Sequence, residues 1–276
     1  MEIYKKQSFS ESFKVYFDKR MIKILLLGAI SGFPWVIIGS SLSLWLKEDG
    51  LSRSTIGWAG LIFAVYAFNY LWAPIIDRIR IPWLTQKVGH RRGWIIIMQA
   101  VILLSLFSWS LINPSVNLAL VISIGLIIAI ASATQDITLD ALRIEQIGEH
   151  EGRSMQAGAA VAVVGWWTGY KLGGVISLYV AEFFQQMGID NYWQITFLIL
   201  GIVIIFCNIG LMFINEPQTI DRAESQKQTD NMIQKKLGAP NLITKIISWL
   251  TGTVVGPVIS FFKKNGFNIA IAILGF

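Results

Sequence analysis

Four residues in one stretch, Gln135, Asp136, Asp140 and Arg143, can do chemistry where the surrounding sequence is apolar. They lie in "ASATQDITLDALRIE", Ala131 to Glu145, directly after the run "LALVISIGLIIAI". On a helix, Asp136, Asp140 and Arg143 stand at i, i+4 and i+7, which puts them on one face with Gln135 beside it. Asp140 and Arg143 are also i, i+3 neighbours and can pair. A carboxylate buried without partners is costly, so partners or water must be near. A carboxylate held there can bind a proton or pair with a cation. An amide beside it can donate and accept hydrogen bonds. A simple helix-end boundary would account for Arg143 and fairly well for Asp140. It accounts poorly for Asp136, which lies more than a helical turn deeper, so the stretch is read as the wall of a polar cavity.

The elements that must position these residues are membrane helices. Of the 276 residues, 54% are hydrophobic and 14% are charged, where a soluble domain carries about a quarter charged. Roughly 20 apolar residues in helix cross a bilayer core. Six segments meet that length: Ile22–Leu46, Thr55–Ile76, Trp94–Ile112, Leu118–Leu142, Met155–Phe184 and Trp193–Ile214. A seventh apolar run begins at Phe267 and is cut off by the chain end. The expected organisation is an N-terminal segment over 1–21, a six-helix bundle over 22–214, a connection over 215–266 and the start of a seventh span over 267–276. Within the connection, "NLITKIISWLTGTVVGPVISFF" has helical apolar spacing and is read as an interfacial amphipathic helix, broken at Gly256-Pro257.

The net charge of +6 is a topology signal. Lys5, Lys6, Lys14, Lys19, Arg20 and Lys23 precede or open span 1, and Arg78, Arg80, Lys87, Arg91 and Arg92 follow span 2. Arg143 and Arg153 follow span 4, and a further basic set follows span 6. The opposite connections carry only Lys47 and Arg53. Positive loops stay inside, so the N-terminus and the 215–266 connection are expected in the cytoplasm. No cleavable signal is expected, because span 1 is too long for one. Nucleic acid is not an expected partner. One cysteine, Cys207, and two separated histidines, His90 and His150, exclude an internal disulfide and leave no metal site or cofactor to expect. No Ser/His or Cys/His set falls within the spans, so an enzyme is not expected.

Further residues stand out on the spans. Span 1 holds Gly28, Gly32, Pro34 and Gly39, which suit either close packing or a bent helix lining a cavity. Span 5 holds Gly165, Gly169 and Gly173 at four-residue spacing. That stripe lets another backbone approach, and it predicts that leucine there is far worse than alanine. Lys171 is an intramembrane charge and hence a functional candidate, against the plainer reading of a structural ion pair. Asp77-Arg78 at the end of span 2, with Gly89, Arg91 and Arg92, can bridge helix ends in one conformation and release them in another.

At that loop the chain resembles the major facilitator superfamily. Asp77-Arg78…Gly89-His90-Arg91-Arg92 is similar to that superfamily's motif between spans 2 and 3, without the usual glycine before the aspartate and with wider spacing. The segments "GAISGFP", "YLWAPIIDR", "GHRRGW", "SATQDITLDALRIE" and "GRSMQAGAAVAVVG", in that order, resemble AmpG muropeptide permeases, as does "VVGPVISFFKKN". The resemblance implies an all-α membrane protein, the N-terminal six-helix half of a major facilitator fold, lacking its C-terminal six-helix half. It implies proton-coupled import of N-acetylglucosaminyl-anhydromuramyl peptides across the bacterial inner membrane, for wall recycling and β-lactamase induction. The positions that match its motifs are Gly32, Ala133, Gln135, Asp136 and Asp140. Alternative expectations are a carrier of another solute, such as acetyl-CoA or peptides, or an inactive truncated paralogue.

The charge bias gives the first prediction. With Cys207 replaced by serine, Lys87→Cys is expected to react with a membrane-impermeant thiol reagent only from the cytoplasmic side. Labelling from the periplasm alone would overturn the topology.

Overall fold

A computed structural model of the chain describes residues 14–148, 151–217, 228, 230–235, 242–266 and 269. Residues 1–13, His150 and most of the expected seventh span lie outside the described residues. Among the described residues the chain is helical, with no strand. It divides into two units, Met1–Leu71 with Ile81–Pro217, and Trp72–Arg80 with Gln218–Phe276.

In the first unit, α1 spans Lys19–Glu48, α2 spans Arg53–Leu71, α4 spans Leu84–Val88, α5 spans His90–Trp109, α6 spans Leu118–Ile147, α7 spans Gly152–Gln186 and α8 spans Tyr192–Met212. In the second, α3 spans Ala73–Arg78, and α9 runs through Leu242–Leu250, Thr251–Val255 and Gly256–Asn265. Six runs are long and apolar enough to cross a membrane: α1, α2, α5, α6, α8 and Ile243–Asn265. The fifth span expected from sequence, Met155–Phe184, falls on the longer helix α7, which is not among those six, whereas Ile243–Asn265, expected as an interfacial helix, is. Leu104, Phe206 and Val164 are among many large apolar side chains left on the outside, as suits a surface against lipid. The protein is therefore a multi-pass membrane protein.

Two expectations about continuity change. The second span is not one helix to Ile76. It alternates α and 3-10 turns, at Gly60–Phe63 and Asn69–Leu71, and stops before Trp72. Pro74 then sits in the first turn of α3, where its missing N–H is an orphan position in any case. Conversely, Gly256-Pro257 does not break α9. A wide π turn over Thr251–Val255 leads directly into the last helical segment, with the proline in that segment's first turn. A π turn is one way a helix absorbs such an interruption.

The bundle is held at one end by aromatic packing. Trp45 of α1, Trp109 of α5 and Phe197 of α8 meet with ring centroids 4.9–5.8 Å apart. Near them Glu48 accepts hydrogen bonds from Tyr192 Oη (2.8 Å) and Trp193 Nε1 (2.6 Å). At the other end, Asp18 caps α1 by accepting from the Arg20 amide (2.8 Å), and the Arg20 guanidinium reaches both oxygens of Glu151 (2.7 and 2.8 Å). These bonds from Arg20 hold the Asp18 and Glu151 carboxyls below their ordinary range.

The middle depends on glycine. Against α1, a Cβ at Gly169 would strike the carbonyl oxygen of Ala29 and lie 2.8 Å from its Cα. One at Gly165 would strike the Leu25 carbonyl oxygen. The relation is reciprocal: a Cβ at Gly28 would meet the Ala162 carbonyl oxygen, and one at Gly32 the Trp166 carbonyl. Without a hydrophobic drive between helices in lipid, such close approach supplies the packing contacts. The obstacles are backbone atoms, which cannot swing aside. Alanine is thus already too large at Gly169, a stricter limit than the spacing alone predicts.

Within α1 the chain carries Pro34 without breaking. A proline removes the N–H that should bond the carbonyl four residues earlier, here that of Ile30. Gln135 of α6 supplies the missing donor, its Nε2 lying 3.1 Å from the Ile30 oxygen in a fully buried setting. Just beyond, α1 widens into a π turn over Ile37–Ser41.

Two predictions follow from these contacts. Gly169→Ala is expected to lower membrane abundance and the thermal midpoint in detergent, at about 1–3 kcal/mol for overpacking. Gly174→Ala, whose Cβ has its nearest neighbour at 3.9 Å, should behave as wild type. Equal behaviour of the two would remove the packing argument. Separately, Gln135→Leu should cost about 1–3 kcal/mol by stranding a buried carbonyl, and much less in a Pro34→Ala background, where residue 34 regains an N–H. Additive losses in that cycle would refute the pairing of Gln135 with the proline gap.

Candidate functional site

The polar face of α6 meets α1 and α7 at a cavity of about 380 Å³. Ser31, Asp136, Asp140, Arg143 and Trp166 line it, with Ala159 and Ala162 giving the room that larger side chains on α7 would take. Asp136 accepts a 2.6 Å hydrogen bond from Ser31 Oγ. Trp35 faces the same carboxyl, and Tyr66 of α2 faces Asp136 and Ser132. Among the described residues the indole N–H of Trp35 and the hydroxyls of Tyr66 and Ser132 are buried and make no hydrogen bond of good geometry, Trp35 facing Asp136 and Tyr66 facing Ser132. No cation forms an ion pair with Asp136 among the described residues. The geometry therefore offers one deep carboxyl, hydroxyl and indole groups beside it, and unfilled hydrogen-bonding capacity.

Asp140 and Arg143 pair as their spacing allows. Nε and Nη2 of Arg143 both lie 3.1 Å from one oxygen of Asp140. Asp140 is 67% exposed and Arg143 15% exposed by side chain, so the pair stands at the mouth rather than the floor of the cavity.

The other sequence candidates are placed differently. Gln135 is fully buried behind the cavity wall, with its nitrogen committed to Ile30 and its oxygen without a hydrogen-bond partner among the described residues. Ala133 is fully buried, and Gly32 sits in the α1–α7 contact. Lys171 is exposed on α7, outside the cavity lining. Its ammonium stands 5.7 Å from the Trp167 ring centroid and 5.8 Å from that of Tyr170, within the range of cation–π attraction.

The loop residues divide between the two units. Arg78 is in the second, where its Nη1 donates to both oxygens of Asp230 (2.8 and 2.9 Å). A Cβ at Gly252, in the π turn of α9, would lie 2.7 Å from Asp230 and from Arg78. Asp77 is in the same unit. Arg91 and Arg92 belong to the first. Arg91 forms a buried ion pair with Glu145 at 3.2 Å, their side chains 7% and 5% exposed. Arg92 donates to the Met212 carbonyl at 3.3 Å. Glu216 accepts from the backbone N–H groups of His90, Arg91 and Arg92 at 2.9–3.0 Å. Three orphan donors and the positive end of a helix dipole thereby meet one carboxylate. Gly89 precedes them at φ 102°, a backbone state that favours glycine.

Sequence reasoning missed Glu216, Glu145, Ser31 and Trp166. Glu216 carried a faint signal, as an acid directly after an apolar span. Ser31 and Trp166 carried none beyond their place in spans 1 and 5. Among the described residues no group of three His, Cys, Asp or Glu could hold a metal ion.

The sequence profile of the Major Facilitator Superfamily matches residues 24–276. A Rickettsia felis protein named "Putative transporter AmpG 4" is 32% identical over 264 residues, covering 95% of this chain and 57% of the relative. Its namesake in Rickettsia conorii is 31% identical over the same shares. The "Anhydromuropeptide permease" of Escherichia coli K12 is 28% identical over 208 residues, 75% of this chain and 40% of the relative. The chain spans about half the length of the curated relatives it matches. With its helical membrane bundle and a profile match over nearly its whole length, the chain belongs to the Major Facilitator Superfamily, and within it is similar to AmpG-type transporters.

Proposed function

We propose that the chain forms the N-terminal half of a proton-coupled secondary transporter that imports anhydromuropeptides across the bacterial inner membrane. It acts as a transporter rather than an enzyme, with its N-terminus in the cytoplasm and the substrate site completed by a second six-helix half. The observation that carries the reading is Asp136: a carboxyl inside a membrane bundle, bonded to Ser31 and lining a cavity. An intramembrane carboxyl without a counter-cation is costly when ionised, and taking up a proton relieves that cost. The name of the Escherichia coli relative supports the choice of substrate.

In this reading, Asp136 exchanges the proton and Ser31 orients its carboxyl. Asp140 and Arg143 meet polar groups of the substrate at the cavity mouth. Gln135 maintains the α1 geometry that presents Ser31, while Gly32 and Ala133 keep the helices close. Lys171 offers a cation on the flank of α7. Asp77 and Arg78, and separately Arg91 and Arg92, secure helix ends that release and re-form as access alternates. Arg91–Glu145 and the Glu216 cap are the contacts that support this role in the first unit.

The test is uptake of a labelled N-acetylglucosaminyl-anhydromuramyl tripeptide into inverted and right-side-out vesicles holding the full-length protein. Asp136→Asn is expected to abolish accumulation driven by a proton gradient, while gradient-free exchange of labelled for unlabelled substrate continues within a few-fold. Wild-type accumulation by Asp136→Asn, at wild-type abundance, would refute the proton role. Failure of the wild type to take up the probe would refute the substrate.

A further inference from the structure

Resting on the muropeptide reading, we propose that Trp166 is a stacking platform for a pyranose ring and that Arg143 receives a carboxylate carried on the same ligand. The two residues line the same cavity from α6 and α7, so a single acidic amino sugar whose lactyl carboxylate carries no peptide can engage both.

The ring of Trp166 is held before any ligand arrives. Tyr170, one turn further along α7, lies parallel to it within 4°, with centroids 5.5 Å apart. Trp35 of α1 meets Trp166 edge-on at 5.5 Å and 73°. The Tyr170 hydroxyl is 3.0 Å from Ser40 Oγ on α1. One turn back along α7 the side chain at Ala162 is a methyl group, and the cavity fills that space. Trp167 meets it edge-on as well, at 5.2 Å and 86°. An aromatic side chain braced by three neighbours and lining a cavity loses little freedom on binding.

The chemistry around the ring selects the ligand class. The face of a pyranose presents C–H groups with slight positive charge, and an aromatic face carries negative charge. The rim of the same sugar presents hydroxyl and acetamido groups, which need partners such as Ser31, Asp136 and Asp140 on the cavity lining. A wholly apolar ligand would bury those groups unmatched, and a wholly polar one would gain nothing from the ring. Arg143 completes the set. Both of its contacts go to one Asp140 oxygen, through Nε and Nη2, so Nη1 and the outer proton of Nη2 remain to meet a carboxylate.

The alternative is that Trp166 only packs helices together. Titration of full-length protein in nanodiscs separates the two, with three probes: N-acetylglucosaminyl-anhydromuramic acid, the methylamide of its lactyl carboxylate, and the stem peptide alone. Trp166→Leu is expected to weaken the disaccharide acid and its amide about tenfold, while Trp166→Phe stays within about threefold. Ala159→Phe, which fills the cavity from its exposed side without altering the ring, is expected to exclude both disaccharides. That variant decides the matter if Trp166→Leu does not fold. Arg143→Gln should weaken the acid about tenfold and leave the amide unchanged. Equal weakening by Trp166→Leu and Trp166→Phe, or undiminished binding to Ala159→Phe, would overturn the platform. Equal loss of acid and amide in Arg143→Gln would overturn the carboxylate contact. Binding of none of the probes by the wild type would overturn the muropeptide reading itself, and the platform with it. Binding of the stem peptide alone would overturn the platform and leave the wider reading standing.

Discussion

The carbonyl oxygen of Ile30 lacks its usual helical donor, because the residue four places on is Pro34. In water such a carbonyl would be solvated. In a membrane bundle nothing but protein is at hand, and each unmatched backbone group is expensive. Gln135 supplies the bond from α6. The next residue, Asp136, bonds the next position of α1, Ser31. Two consecutive side chains of one helix thus read two consecutive positions of another. Their register fixes where the deep carboxyl stands, so the proline in α1 and the carboxyl in α6 form one arrangement rather than two features.

That arrangement needs α1 to be held from its other side, and glycine does so. Gly28 and Gly32 on α1 and Gly165 and Gly169 on α7 place backbone against backbone. The same contact brings Trp166 beside Ser31 on the cavity wall. A side chain on any of these glycines would push α7 away from α1. Packing and site are therefore the same problem in this bundle: the small residues set a distance, and the polar residues occupy the space left by it.

The spans and the polar face of α6 were legible in the sequence because both are periodic signals. Apolar runs of membrane length identify helices without knowledge of their neighbours, and an i, i+4, i+7 set shares a face wherever the helix lies. What was not legible depends on a partner helix. Gln135 beside Asp136 reads as a second ligand-binding group until Pro34 is seen to strand the Ile30 carbonyl opposite it. The stripe of Gly165, Gly169 and Gly173 shows that something packs closely, but not that the obstacle is backbone at the first two and the Phe33 ring at the third, which decides whether alanine fits. Glu216 looks like a charge at a span's end until the first three amides of α5 are found around it. Gly256-Pro257 reads as a break because composition does not reveal the π turn that precedes it.

The contrast between the two aspartates of α6 shows how far local chemistry carries the functional argument. Asp140 stands mostly exposed and has a guanidinium on its own helix, so its charge is matched whatever the rest of the molecule does. Among the described residues Asp136 accepts from the hydroxyl of Ser31 on a different helix, and Trp35 of that helix faces it too. Any motion of α1 relative to α6 changes the environment of Asp136 and leaves that of Asp140 almost untouched. A group whose ionisation depends on the separation of two helices is suited to couple a proton to a conformational change. A group whose counter-charge travels with it is suited to recognition. The sequence places both on one face at i and i+4, and the difference between their surroundings comes from α1, through the serine that follows the stranded carbonyl.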